Sequence, residues 1–252
     1  MARESGLRGA DPVKTTKLIV WFSIALFASL SAQAQGTFQN LDFESATPSA
    51  PIMGPLGPFY QPEGLALPGW NAYLGITQQS EVLQNLYAAG AGSVDIFGPN
   101  YTAAGPQGDN PGIIDGKYTV FLQAGAPGPT EGNASIEQNG TIPSGAQSIE
   151  WKAWDYNPSS SFLSVSFGGN VLSPVVLGSG ANYTLYGADI SAFAGQTGEL
   201  EFTSVFSYSG PSWIELDDIS FSTNSVSPEP SIVALTAIGG LLFGARKWFA
   251  RR

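Results

Sequence analysis

Between residues 36 and 227 the chain sustains no helical period, whereas apolar and polar residues alternate with a period of two over short runs. Alternation of this kind sends successive side chains to opposite faces of a strand, so the chain must build sheets with one face toward a core. In 161–167 Leu163, Val165 and Phe167 face one way and serines the other, and in 148–154 Ile149, Trp151 and Ala153 alternate with Glu150, Lys152 and Trp154. Similar runs cover 37–44, 69–76, 93–97, 117–123, 134–138, 171–177, 183–190, 198–206 and 213–222. Turn signals at Pro127-Gly128, Gly168-Gly169-Asn170 and Ser209-Gly210-Pro211 separate some of them. Roughly ten short strands joined by turns predict an all-β fold, an antiparallel β-sandwich. In 213–222, Ile214 and Leu216 have one parity and Ile219 and Phe221 the other, with Asp217 and Asp218 at the switch. The switch suggests a bulge that aims a carboxylate inward or toward a neighbouring strand.

Charge narrows what such a sandwich can bind. Arg3, Arg8, Lys14 and Lys17 precede the first apolar run, and Arg246, Lys247, Arg251 and Arg252 follow the last, leaving only Lys117 and Lys152 between. Residues 36–227 set those two cations against 17 acids, a net charge of −15. Such a surface excludes nucleic acid and anionic lipid headgroups as partners, while neutral glycans and divalent cations remain compatible with it. The chain has no Cys and no His. It therefore lacks disulfide staples, thiol nucleophiles, imidazole bases and the usual zinc ligands. Together with the scarcity of cations, this leads us to expect a protein that is not an enzyme.

The two ends address the chain. Lys14 and Lys17 precede the apolar stretch 18–30, which closes on Ser31-Ala32-Gln33-Ala34. A basic region, a short apolar segment and an Ala-x-Ala site read as a secretory signal helix over 1–34, with Ala32 and Ala34 set for cleavage after Ala34. At the other end Pro228-Glu229-Pro230 precedes an apolar transmembrane helix expected over 231–245 and a basic end, 246–252. Cations are retained on the cytoplasmic side, so Arg246, Lys247, Arg251 and Arg252 act as a membrane stop while the acidic span lies outside. Two prolines around Glu229 keep that segment extended. The helix after it is short and broken by Gly239, Gly240 and Gly244, which makes a weak permanent anchor. The exported domain is then 35–224 and the tail 225–252.

The ordered set Pro228-Glu229-Pro230, apolar helix and terminal basic cluster resembles the PEP-CTERM sorting domain of Gram-negative bacteria. The resemblance covers the last 27 or so residues, and Trp248-Phe249-Ala250 interrupts the basic cluster. It implies export by the Sec machinery, transient or lasting attachment to the cytoplasmic membrane, and processing by an exosortase. The destination it implies is the cell surface or an exopolysaccharide matrix.

A second resemblance concerns the domain. Asn40-Leu-Asp-Phe-Glu44, Leu67-Pro-Gly-Trp70 and Ile214-Glu-Leu-Asp-Asp-Ile-Ser-Phe221 resemble segments of galactose-binding-like jelly rolls, which include many carbohydrate-binding modules. The resemblance implies a jelly-roll order of strands and a structural calcium ion held by Glu44 and Asp218 with backbone oxygens. Aromatics add a residue-level expectation, because sugar rings stack on flat side chains flanked by hydrogen-bonding groups. Trp154, Tyr156 and Trp213 are the candidates for ligand contact, whereas Trp70 and Trp151 read as core. The leading expectation is an adhesive or glycan-associated binding module. The alternatives are a carboxylate-dependent glycosidase or lyase, which needs two acids converging across one bond, and a self-associating matrix subunit.

Overall fold

Fifteen strands, one four-residue helix and a short 3-10 helix form among the residues that the computed structural model describes, namely 36–49, 52–54, 57–86, 92–99, 101, 112–125, 132–155, 162–206 and 212–226. They belong to one unit, which begins at Gln35. The strands make two sheets that face each other across the core.

The larger sheet has the order β1 (Ile52–Gly54), β2 (Gly57–Pro62), β5 (Glu81–Gln84), β6 (Ser93–Phe97), β7 (Thr119–Ala124), β15 (Ser212–Ser222), β9 (Ser148–Asp155), β13 (Thr184–Asp189) and β12 (Val175–Ser179). The smaller sheet has the order β11 (Asn170–Val171), β10 (Phe162–Phe167), β14 (Thr197–Val205), β8 (Ala134–Thr141), β3 (Asn71–Leu74) and β4 (Thr77–Gln78). Among the described strands every pairing is antiparallel except that of β5 with β6. The all-β sandwich expected from period-two alternation is therefore the observed architecture, with α1 (Glu63–Ala66) and the 3-10 helix Ser191–Phe193 as its helical pieces.

The core fills the space between the sheets. Val94, Ile96, Val120, Leu122, Ile214 and Leu216 come from the larger sheet, and Ala72, Ile136, Val165, Leu200 and Phe202 from the smaller. Trp70 and Trp151 are core residues, as expected: both are buried, and Trp151 meets Phe202 edge-on at 5.7 Å. The parity switch in β15 is a bulge. Its register against β9 shifts between Asp217 and Ser220, and Asp218 adopts φ +51°. The extra residue brings Ile219 and Phe221 to the same core as Ile214 and Leu216. At the β10–β11 hairpin Gly168 and Gly169 both take positive φ, which the tight turn requires.

Two expected strands are not formed as read. Residues 37–44 make turns, because Asn40 and Phe43 adopt φ +51° and +56° and the Asn40 side chain accepts the Ser45 amide at 2.9 Å. Their alternating apolar residues Phe38, Leu41 and Phe43 are buried all the same, and Leu41 O accepts the Ile219 amide across to β15 at 2.9 Å. The run 171–177 splits into β11 and β12 around Ser173-Pro174, where proline removes a ladder donor. Ala32, Ala34, Tyr156, the Pro228-Glu229-Pro230 motif and the basic end lie outside the described residues. Among the described residues no helix is long and apolar enough to cross a membrane.

Candidate functional site

The outer face of the larger sheet is not an ordinary solvated face. Residues directly opposite one another on paired strands project to the same side. One line across four strands reads Asp95 on β6, Phe121 on β7, Glu215 on β15 and Trp154 on β9. The neighbouring line reads Ser93, Gln123 and Trp213. Ser93, Asp95, Phe121, Gln123 and Glu215 are buried, and Trp154 and Trp213 are half-buried. Phe97, Phe121 and Leu83 are buried yet do not join the inter-sheet core, as their outward direction requires. Phe97 stacks between Phe121 at 4.9 Å and Tyr101 at 3.9 Å.

The register unites two of the three aromatic candidates. Trp154 pairs with Glu215, two residues along β15 from Trp213, so the two indoles occupy diagonal positions on one face. Diagonal neighbours of this kind lie roughly 7–8 Å apart, within reach of large rings. Glu215 and Gln123 flank them in the register, both fully buried.

Asp95 is the unusual member. Its Oδ2 accepts the Leu86 amide at 3.0 Å, and among the described residues its Oδ1 and Ser93 Oγ two residues away have no hydrogen-bond partner. Burial pushes the Asp95 carboxyl well above the usual carboxylate range, against the lowering effect of nearby backbone amides. Sequence reading missed Asp95, Ser93, Gln123 and Glu215. The available signal was a carboxylate placed at the centre of the otherwise apolar run Val94, Ile96 and Phe97.

A second cluster surrounds the bulge. Asp217 lies on the outer side of β15, buried; Thr119 Oγ1 donates to its Oδ2 at 2.7 Å and the Asp115 amide to the same oxygen at 3.2 Å. Burial raises its pKa to about 7, partly offset by those hydrogen bonds. Lys152 forms ion pairs with Asp115 and Asp218 and lies 5.0 Å from the Tyr183 ring centroid. Hydrogen bonding from Lys152 lowers the Asp115 pKa. Glu44 Oε1 accepts the Lys117 and Tyr118 amides at 2.6 and 3.0 Å.

The two residues expected to hold calcium thus have separate partners, amides for Glu44 and an ammonium for Asp218. Calcium takes six to eight oxygens, and the described residues contain no group of three or more acidic side chains placed to hold a metal.

No family model matches the chain. No curated protein matches it either. Among solved structures, TmCBM61 in complex with β-1,4-galactotriose aligns with a TM-score of 0.32 at 16% identity, covering 75% of this chain and 99% of that one. The enzymatically active domain of tailspike protein 4 of Bacteriophage CBA120 aligns with a TM-score of 0.33 at 13% identity, covering 62% of this chain and 19% of that one. Likenesses at these TM-scores decide nothing about the site.

Proposed function

We propose that the chain is an exported, non-enzymatic glycan-binding protein of the bacterial surface or extracellular matrix, a jelly roll that holds sugar on the outer face of its larger sheet. The observation that carries this reading is the pair of half-buried indoles, Trp154 and Trp213, at diagonal positions on one face. Rings so placed can stack on sugar C–H faces. The test is retention on the producer's own exopolysaccharide and on a glycan array. Wild type should be retained, and Trp154→Ala and Trp213→Ala should each weaken binding about tenfold or more; no retention on any glycan removes the reading.

The sorting half of the proposal rests on the tail residues Pro228, Glu229 and Pro230 and on the basic end. Exosortase would process the chain near that motif after Sec export. Mass spectrometry of the mature protein from hosts with and without the exosortase tests it, the expected outcome being loss of the tail only when the enzyme is present.

One observation favours a second reading, a carboxylate-dependent glycosidase. Asp95 and Glu215 stand in one line two strand spacings apart, about 9.5 Å between Cα atoms, and paired carboxyls about 5 to 9.5 Å apart can flank a scissile bond. Release of reducing ends from a bound glycan, abolished in both Asp95→Asn and Glu215→Gln, would replace binding with catalysis. A calcium ion at Glu44 and Asp218 also keeps a place here: it would have to displace Lys152 from Asp218, and a melting temperature unchanged by EDTA removes it.

A further inference from the structure

We propose that two copies of this chain join edge to edge through β12, as a symmetric dimer in which the two larger sheets continue into one another. The inference goes beyond glycan binding and needs no sugar. β12 ends the larger sheet and pairs with β13, so its far side presents backbone amides and carbonyls to which no strand among the described residues is paired. A row of that kind is a template for a further strand. The same margin carries exposed apolar side chains. Val176 on β12 is 47% exposed, and Val171 on β11, the last strand of the smaller sheet, is 71% exposed; residues 172–174 join the two strands.

Charge selects the occupant. Residues 156–188 hold β10, β11, β12 and all of β13 except Asp189, and they contain no Asp, Glu, Lys or Arg, whereas the rest of 36–227 holds all 17 acids and both lysines. Edge strands are commonly guarded by charged side chains, and this one has none. A span of net charge −15 repels its own copies over most of its surface, so an uncharged margin is where two copies approach with least repulsion. A cationic partner would be drawn to the acidic faces instead. Self-pairing also closes: about a twofold axis β12 meets its counterpart antiparallel, each edge covers the other, and growth stops at two. Pro174, just before the strand, and the register shift between Val176 and Gly178 confine the contact to a short segment, which makes it reversible.

The experiment uses the full chain in a non-ionic detergent, which keeps its apolar ends from associating, with no sugar added. Sedimentation velocity should show a monomer–dimer equilibrium that strengthens as salt screens the acidic charge. Val176→Lys should weaken the dimer about tenfold or more with an unchanged melting temperature. Ser179→Lys, at an exposed position of the same strand, carries the test if Val176→Lys does not fold. Because the chain has no Cys, single thiols report the contact. Mild oxidation should link at least one of Val175→Cys, Val176→Cys and Ser179→Cys into a covalent dimer, since paired antiparallel strands hold facing Cα atoms about 4.5–5.5 Å apart, within disulfide reach. Ile76→Cys, on the β3–β4 turn and 93% exposed, should stay monomeric. A chain that is monomeric at every concentration and salt overturns the proposal. So does assembly that Val176→Lys leaves intact, linking of Ile76→Cys as strong as that on β12, or assembly that requires added glycan.

Discussion

The outer faces of the two sheets obey the same alternation and carry opposite contents. On the smaller sheet the outward line Ser135, Thr203 and Ser164 and the next line Glu137, Glu201 and Ser166 are polar throughout, with Ser135, Thr203 and Ser166 buried and Ser164 and the two glutamates half-buried. They pair among themselves: Thr203 Oγ1 donates to Glu201 Oε1 at 2.7 Å and Ser166 Oγ to Glu201 Oε2 at 3.4 Å. On the larger sheet the corresponding lines hold Phe121, Phe97, Asp95 and Glu215, all buried, with two tryptophans at the margin. The smaller sheet's face satisfies its hydroxyls through the Glu201 carboxylate, which stays half-buried. A face that withdraws the Asp95 and Glu215 carboxyls from water carries a desolvation cost that the other does not.

The largest test of this contrast is a pair of truncations. Phe121→Ala removes a buried ring stacked on Phe97 and should destabilise the domain by about 3–5 kcal/mol in denaturant unfolding. Ser164→Ala, on the outer side of the smaller sheet, should change stability by no more than about 0.5 kcal/mol. Were Phe121→Ala to cost less than about 1 kcal/mol, the larger sheet's outer face would be solvated after all and the contrast would vanish.

Asp217 sharpens the contrast through pH. Its folded-state pKa, raised to about 7, exceeds the ordinary 3.8, so the folded chain holds a proton that the unfolded chain has released between those values. Stability therefore falls as pH rises from about 4 to about 7 and then levels; three pK steps set an upper bound of roughly 4 kcal/mol. Asp95, raised in the same direction, adds a fall of the same sign. In Asp217→Asn the fall should be much shallower and stability near pH 8 should equal or exceed that of wild type. An unaltered pH profile would show that Asp217 is solvated.

The contrast also explains what could be read in advance. Strands facing the core on one side and water on the other, such as β9 and β10, announce themselves by parity, and Trp154 was assigned outward from parity alone. The bulge at Asp217 was legible because one strand cannot send Leu216 and Ile219 to a common face without an extra residue. Residues 37–44 were misread because positive φ at Asn40 and Phe43 leaves no mark on the alternation. β1, β2, β4 and β5 escaped because they are short or rich in Pro and Gly. The polar lines on the larger sheet were hidden for a different reason. β6 and β7 are buried on both faces, so neither shows a solvent side, and Asp95, Phe121, Glu215 and Trp154 become neighbours only through pairings between segments distant in sequence.

A smaller effect separates an internal cation from a metal. Lys152→Met removes the ammonium between Asp115 and Asp218 and leaves two carboxylates facing each other. Because both acids are substantially exposed, the expected loss is only about 1 kcal/mol, and high salt should shrink it. EDTA should leave the wild-type melting temperature unchanged. A drop on adding EDTA, reversed by calcium, would return Asp218 and Glu44 to the role of ligands and make Lys152 a bystander.

The smallest expected effect tests the polar face of the smaller sheet. Glu201 stands directly opposite Glu137 in the pairing of β14 with β8, and Glu199 lies opposite Asn139 in the same ladder. Desolvation first, and then the charges of Glu199 and Glu201, raise the pKa of Glu137, while its hydrogen bond with Tyr73 lowers it. Like charges facing each other across strands destabilise a sheet by a few tenths to about 1 kcal/mol. Glu201→Gln keeps an acceptor for Thr203 and Ser166 while removing the repulsion, so it should stabilise the domain by roughly 0.3–0.5 kcal/mol at low ionic strength, with the gain fading in high salt. A stabilisation of that sign and salt dependence is what screened repulsion between half-buried carboxylates produces. A loss of more than about 1 kcal/mol would mean that the hydrogen bonds held by the Glu201 carboxylate outweigh its repulsion with Glu137.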